Sequence, residues 1–279
     1  MSGALIIVAT PIGNLGDLTP RALETLQSAD VVYCEDTRRT RTLYSAHGLK
    51  VAHLVALHEH NEMSQIGEII ERITRGETVA LVSDAGTPGI SDPGSRVVAA
   101  VVEAGLSVTT TPGVSAVIAA LGISGLPTDR FVMEGFVPRK GSDRAAWLNA
   151  WDGEQRTIVF YESPKRIAAT MNELAGRWPN RSVAIVRELT KLHEEVLRGT
   201  AAELSTSLAK SELQGEITVV MAGSPAPAPV SEAVVLDAID DALADGATVR
   251  DVATQVSAVL GVPHRYVYEL ALQRRTAKP

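Results

Sequence analysis

Four short segments carry the residue types that hold ligands at the ends of strands. The richest is Ser83-Asp84-Ala85-Gly86-Thr87-Pro88-Gly89-Ile90-Ser91-Asp92-Pro93-Gly94. Glycine and proline strip a loop of bulk and stiffen it, so a ligand can approach the backbone closely. Strand-to-helix connections usually run about 2–6 residues. A longer one with three glycines and two prolines points to a functional loop over an ordinary turn. The other segments are Thr10 to Pro20, Glu35-Asp36-Thr37-Arg38, and Thr111-Pro112-Gly113-Val114-Ser115-Ala116. None contains G-x-G-x-x-G or G-x-x-x-x-G-K-[ST], so the dinucleotide and phosphate-loop fingerprints are absent. His58-Glu59-His60 has the wrong period for two metal ligands on one helix face, and no metal is expected. Arg38-Arg39 with Arg41, Arg139-Lys140 with Arg144, Lys165-Arg166, and Arg274-Arg275 with Lys278 are basic clusters, each of which alone reads as a solvated face.

The elements that must position these segments alternate. Ala4–Ala9 and Val79–Val82 read as buried strands, short apolar runs suited to a parallel sheet covered on both faces, with Asp30–Cys34, the weaker Ala52–Leu57 and Leu106–Thr110 as further strands. Thr19 with Pro20 is a helix entry signal. Helices are predicted to about Gln27, up to Gly48, from Ser64 to Arg75, from Val97 to near Gly105, and from Ala116 to Leu121. Each strand ends in polar or Gly/Pro-rich residues, so those ends gather along one rim, where open α/β sheets bind ligands.

From Gly122 the pattern restarts. Arg130–Phe136, Thr157–Tyr161, Ser182–Val186 and Glu216–Met221 read as strands of a second α/β domain with antiparallel pairing. Ser224–Pro229 reads as a semi-rigid linker. Only helices follow, and Thr248–Gln273, broken at Gly261-Val262-Pro263, resembles a helix-turn-helix. The predicted divisions are an N-terminal parallel α/β domain over 1–117, a second α/β domain over 118–224, and a helical domain over 230–279. Residues 230–251 hold six acids and one arginine, whereas 265–279 hold four bases and one acid, so this tail is polarised.

The 279 residues are 45% hydrophobic but only 4% aromatic, so Ala, Val, Leu and Ile must do most of the packing. Cys34, the single cysteine, excludes an intrachain disulfide framework and reads as a small core residue. No apolar run reaches the ~18 residues of a membrane span. The start Met1-Ser2-Gly3-Ala4 lacks the basic region of a secretory signal, which predicts a cytoplasmic protein. A net charge of −7 argues against a nonspecific nucleic-acid coat but leaves room for a local basic face.

Several motifs occur together and in order: Thr10-Pro11-Ile12-Gly13-Asn14-Leu15, Glu35-Asp36-Thr37-Arg38, Ser83 to Pro88, and Pro112-Gly113 with Ser115-Ala116. Tyr161-Glu162-Ser163-Pro164 and Arg187-Glu188-Leu189-Thr190-Lys191 complete the set. The combination, covering about residues 4–275, closely resembles the ribosomal RNA small subunit methyltransferase I family of the tetrapyrrole-methylase-like superfamily. The resemblance implies two α/β domains with S-adenosylmethionine in the cleft between them, usually in a homodimer. It implies methylation of a cytidine ribose 2′-hydroxyl in 16S rRNA near the decoding centre. By the superfamily pattern the cofactor edge includes Pro11, Asp84, Thr87, Ile90, Ser115 and Ala116, with Gly86 and Pro112 shaping turns. Tyr161 and the strand from Ile217 to Ala222 close over it.

A ribose hydroxyl is a poor nucleophile and benefits from a general base. Asp36, ending a strand on the rim, is favoured. Glu35, His58, Glu188 and Lys191 are further candidates. Glu188 can equally pair with Arg187 or Lys191, and Lys191 serves only with a strongly lowered pKa. Proton loss can also follow transfer and need no base. Arg38, Arg39, Lys165, Arg166 and Arg187 are candidate phosphate contacts with 16S rRNA or the 30S subunit. Asn61 and Glu62 read as orienting groups near the pocket. Two competing readings are a tetrapyrrole-precursor methylase on the same fold and a regulator reading DNA through residues 248–273.

Overall fold

The computed structural model describes residues 3–51, 53–209, 212–225 and 230–277. Four residues of the predicted linker (226–229), Ala52 of a predicted strand and Lys278 of a basic cluster lie outside them.

The first sheet is wholly parallel. In chain order come β1 (Ala4–Val8), α1 (Pro20–Ser28), β2 (Val31–Cys34), α2 (Thr37–Ala46), β3 (His53–Ala56), α3 (Glu62–Thr74), β4 (Thr78–Val82), α4 (Ser95–Glu103), β5 (Ser107–Thr111) and α5 (Ala116–Ser124). The strand order is β3-β2-β4-β1-β5. Successive side chains point to opposite faces. Leu5, Ile7, Val31, Tyr33, Val79 and Leu81 therefore pack with Ile69 and Ile73 of α3 and Val97 and Val101 of α4. Val8, Val32, Cys34, Ala80 and Val82 pack on the other face with Ala22 and Leu26 of α1 and Tyr44 of α2. Cys34 is fully buried there. Thr19 caps α1 by accepting from the Ala22 N–H, with Pro20 in the first turn.

The second sheet is mixed. Its elements are β6 (Phe131–Phe136), α6 (Gly141–Asn149), β7 (Thr157–Glu162), α7 (Ile167–Arg177), β8 (Ser182–Arg187), β9 (Glu195–Thr200), α8 (Ala201–Leu208) and β10 (Ile217–Met221). The order is β6-β7-β10-β8-β9; β6 and β7 run parallel, and the other pairs are antiparallel. One face holds Ile158, Phe160, Ile217, Val219 and Met221 against Trp147 and Trp151. The other holds Val159, Tyr161, Ala184, Val186 and Val220 against α5, Ile12 and Leu189. Thus α5, although it follows the first sheet, packs on the second. This shared core makes residues 1–224 one compact unit.

The remaining unit, 225–279, is a helical bundle of α9 (Glu232–Ala244), α10 (Val249–Leu260) and α11 (His264–Ala277). Val235, Ile239, Val252, Val256, Val267 and Ala271 form its own core. Gly261, at φ +66, ends α10 in the left-handed conformation that glycine adopts freely.

Candidate functional site

The rim begins where β1 and β4 end. Thr10 and Gly86 exchange backbone hydrogen bonds of 2.9 and 3.0 Å, and the Thr10 hydroxyl donates to the Ser83 carbonyl at 3.2 Å. The two Gly/Pro loops are thereby tied together. Thr87 donates its hydroxyl to the Val114 carbonyl at 3.2 Å, tying the same loop to the turn after β5. Ser91 sits at φ +62, a conformation that costs a non-glycine residue energy and that clusters at functional sites.

The acids on this rim have different environments. Asp36 caps α2, accepting from the Arg38 N–H at 2.8 Å and from its guanidinium at 3.1 and 2.7 Å. These bonds, the guanidinium's first, pull its carboxyl down to about 2. A carboxylate so reluctant to take a proton is a weak base, which corrects the expectation for Asp36. Being at a strand end, it was also the residue that had to start the next helix. Asp84 accepts from the Asp36 N–H at 3.0 Å and pairs with Arg39 at 3.3 Å. Glu35 is pushed up by burial and then by the Asp84 charge. Asp92 is pushed up to about 6, chiefly by burial and next by Glu35, against a hydrogen bond from Ser83. It also raises the Tyr161 phenol, after burial. Sequence reasoning passed over Asp92. The available signal was a second aspartate in the Ser83–Gly94 loop.

From the second sheet, the segment after β8 turns sharply, with Glu188 at φ +51 and Thr190 at φ +65. The Lys191 Nζ lies 3.0 Å from Glu188 and 3.1 Å from Glu216. Burial pulls the Lys191 pKa down, but the two carboxylate bonds outweigh it and hold the ammonium above its ordinary range. Glu188 is pulled down, first by Lys191 and then by the Glu216 N–H. The pair is ionised on both sides, so neither is suited to take the proton. For Lys191 the shift is opposite to the one a base requires.

Pro11, Ile12, Arg39, Asp84, Lys191 and Glu216 line a cavity of about 320 Å³. The remaining residues of the predicted cofactor edge fall beside it, along the ends of β4 and β5. Ile90 is exposed and Pro112 follows the last residue of β5. Ser115 precedes Ala116 at the start of α5, and its side chain makes no capping bond. The first N–H groups of α5 are thus open to an anion. At the end of β5 the buried Thr111 hydroxyl, only 3% exposed, finds no hydrogen-bond partner among the described residues. An uncapped helix start and an orphan hydroxyl on one rim fit S-adenosylmethionine, whose carboxylate and hydroxyls need such donors and acceptors.

The β10 residues differ from expectation. Ile217 points into the tryptophan core, so only its backbone can face a ligand. Ala222, bonded to the Ser182 carbonyl at 2.9 Å, sits past the other end of the strand, ~16 Å from Ile217 at about 3.3 Å per residue. Thr218, buried and paired in register with Tyr161, is the polar residue of this strand on the Tyr161 face. Alternation could have found it, once the strand's partner was known.

The basic candidates also separate. Arg38 and Arg39 are exposed, the latter joined to Asp84. Lys165 is exposed beside a second, larger cavity near Leu208 and Gly215. Arg166 is committed elsewhere. It pairs at 2.6 Å with Glu162, whose side chain is fully buried, and donates to the Val137 carbonyl at 3.0 Å. Removing it from that pair for a phosphate would strand a buried charge. Arg187 binds Glu195 at 2.6 Å. Asn61 and Glu62 are structural. Asn61 bonds the backbone of His58 and Ala56. Glu62, 3% exposed, accepts from the N–H groups of Gly94, Arg96 and Val97 and so caps α4 from α3. His58 is exposed. Among the described residues no cluster of three or more His, Cys, Asp or Glu could hold a metal ion, and no helix is long and apolar enough to cross a membrane.

Residues 4–205 match the family described as Tetrapyrrole (Corrin/Porphyrin) Methylases. The chain is 46% identical over 277 residues to the ribosomal RNA small subunit methyltransferase I of Mycobacterium tuberculosis (strain CDC 1551 / Oshkosh), covering 98% of this chain and 96% of that one. It is 43% identical over 274 residues to the Synechocystis protein of the same name, covering 97% and 98%. Among solved structures, a diphthine synthase superposes with a TM-score of 0.61 at 17% identity, covering 79% of this chain and 90% of that one. A uroporphyrin-III C-methyltransferase from Thermus thermophilus complexed with S-adenosyl homocysteine superposes with a TM-score of 0.54 at 18% identity, covering 78% and 96%. These two likenesses concern the fold.

Proposed function

Since the chain belongs to the ribosomal RNA small subunit methyltransferase I family, within the tetrapyrrole methylases, we propose that it methylates the ribose 2′-hydroxyl of a cytidine in the decoding region of 16S rRNA. It is an S-adenosylmethionine-dependent methyltransferase. The observation that carries the reading is 46% identity over nearly the whole of both chains with a protein of that name. Nothing on the rim favours a tetrapyrrole precursor as substrate.

When bound, S-adenosylmethionine supplies an electrophilic methyl group for in-line displacement, and positioning contributes much of the rate in such reactions. The open N–H groups at the start of α5 would hold its carboxylate. Thr111 offers its unpaired hydroxyl, and Tyr161 and Thr218 close the rim from the second sheet. The loop carrying Thr87 and Asp92 keeps its shape through the Thr87–Val114 bond and through Glu62, which holds the start of α4. Asp92 is the acid matched to accept the hydroxyl proton, since its carboxyl is pushed up to about 6 whereas that of Asp36 is pulled down to about 2. The substrate is the 30S subunit or its RNA, and the enzyme acts in the cytoplasm as a homodimer, as the family resemblance implies. An acidic chain of net charge −7 docks on a ribonucleoprotein through shape and a local basic face.

The test is transfer of tritium from labelled S-adenosylmethionine to 30S subunits lacking the modification, with the labelled nucleotide mapped. Label on a cytidine ribose in the decoding region is expected. Tight cofactor binding with no transfer to 30S subunits or to 16S rRNA would refute the substrate.

A further inference from the structure

The cavity that Pro11 and Asp84 of the rim also line has two cations and two acids in its wall, Arg39 and Lys191 with Asp84 and Glu216, between apolar surfaces of Ile12 and Leu15. Both cations are already paired, Arg39 with Asp84 at 3.3 Å and Lys191 with Glu216 at 3.1 Å and Glu188 at 3.0 Å. A phosphate entering here would bring its negative charge against Asp84 and Glu216, the carboxylates already beside both cations. A neutral, flat group with donors and acceptors along one edge meets no such obstacle, because each charged pair can offer it one donor and one acceptor. Apolar walls then cover its faces.

The cavity is also rigidly built. A Cβ at Gly13 would collide with Lys191 Cγ, so only glycine lets the lysine stem lie on that backbone. A Cβ at Gly215, itself at φ +86, would collide with the Glu188 carboxylate. The segment between carries the left-handed Glu188 and Thr190. Backbone strain of this kind persists where surrounding structure enforces it, often at functional sites. Its result is to fix the Lys191 ammonium, held by Glu188 behind it, at the cavity wall, where Glu216 reaches it from the exposed side. The proton transfer assigned above uses neither.

We propose that this cavity receives the target nucleobase, turned out of the RNA, and reads it as cytosine. Glu216 accepts from the exocyclic amino group and Lys191 donates to the ring carbonyl. Enzymes that act on a nucleotide in structured nucleic acid commonly extrude it and read its Watson–Crick edge by hydrogen bonds. A carboxylate is the acceptor suited to the cytosine amino group. Uracil presents a carbonyl at that position, so Glu216 would face another acceptor. One good contact of this type discriminates by about tenfold or more. The proposal rests on the reading of the enzyme as an RNA methyltransferase, and the experiment separates the two.

Unmodified 30S subunits carrying either cytidine or uridine at the mapped target are methylated by the wild type, Glu216→Gln and Lys191→Met. Calorimetry with S-adenosyl homocysteine checks each protein's cofactor site. The wild type is expected to prefer cytidine by about tenfold or more in kcat/KM. Glu216→Gln, whose amide can also donate, brings the two substrates within about threefold of each other and leaves cofactor affinity unchanged. Lys191→Met slows both substrates alike, because both bases carry the ring carbonyl. An unaltered preference in Glu216→Gln overturns the proposal, as does an equal loss on both substrates. If the wild type labels no ribosomal RNA, the functional reading fails. The pocket is then judged by titrating the cofactor-loaded proteins with cytidine and uridine nucleosides. A cytidine preference lost in Glu216→Gln sustains it, and no preference in the wild type overturns it.

Discussion

Replacing Asp92 by asparagine separates the stability of this fold from its chemistry. The Asp92 carboxyl rises from its ordinary 3.8 to about 6, burial first and Glu35 next. At ~1.36 kcal/mol per pKa unit the full shift is worth about 3 kcal/mol. Partial solvent access reduces that to ~1–3 kcal/mol. The sign follows from linkage. Below 3.8 the carboxyl is protonated in both the folded and unfolded chains and has no effect. Between 3.8 and about 6 the unfolded chain ionises while the folded one holds its proton, so native stability falls as pH rises. Above about 6 the penalty is complete. Asp92→Asn removes it, so the variant is more stable than the wild type at pH 7.5 by ~1–3 kcal/mol, and by less at pH 5. Urea denaturation at the two pH values measures this. Activity moves the other way. The wild-type kcat/KM falls on the acid side of about pH 6, while the variant lacks that limb and is slower by roughly 10²–10⁴-fold. A stability gain equal at both pH values, or an acid limb that survives the substitution, would refute the reasoning.

Asp36→Asn is expected to leave the acid limb in place, since Asp36 titrates near 2 and faces Arg38; a pH–rate profile decides it. Glu62→Gln weakens three hydrogen bonds to buried or half-buried N–H groups at the start of α4 and should destabilise the protein by ~1–3 kcal/mol in chemical denaturation. It should also loosen the Asp92 loop and raise the cofactor Kd. A chain ending at Ser224 keeps the compact unit that holds the rim, so cofactor affinity persists while methylation of 30S subunits is lost; undiminished methylation would exclude a docking role for the helical unit.

Local rules already determined much of this molecule in its sequence. Thr19-Pro20 starts α1, largely apolar runs of four or five residues form β1, β2 and β4, and Gly261 stops α10. The Ser83–Gly94 loop announced the rim because glycine, proline and short polar side chains act over a few bonds. The motif combination added the family, and with it the cofactor. Tertiary structure decided the rest. Ile217 and Ala222 differ in role because the tryptophans cover the face of β10 that Ile217 points to, while Ala222 lies five residues on, past the strand's other end. Arg166 is withdrawn from solution by a buried Glu162, a partner whose burial no spacing reveals. Asp36 and Asp92 are the same residue type on one rim, yet titrate near 2 and near 6. A carboxylate's proton affinity depends on desolvation and on charges brought close from distant parts of the chain, and the folded protein alone assembles those surroundings.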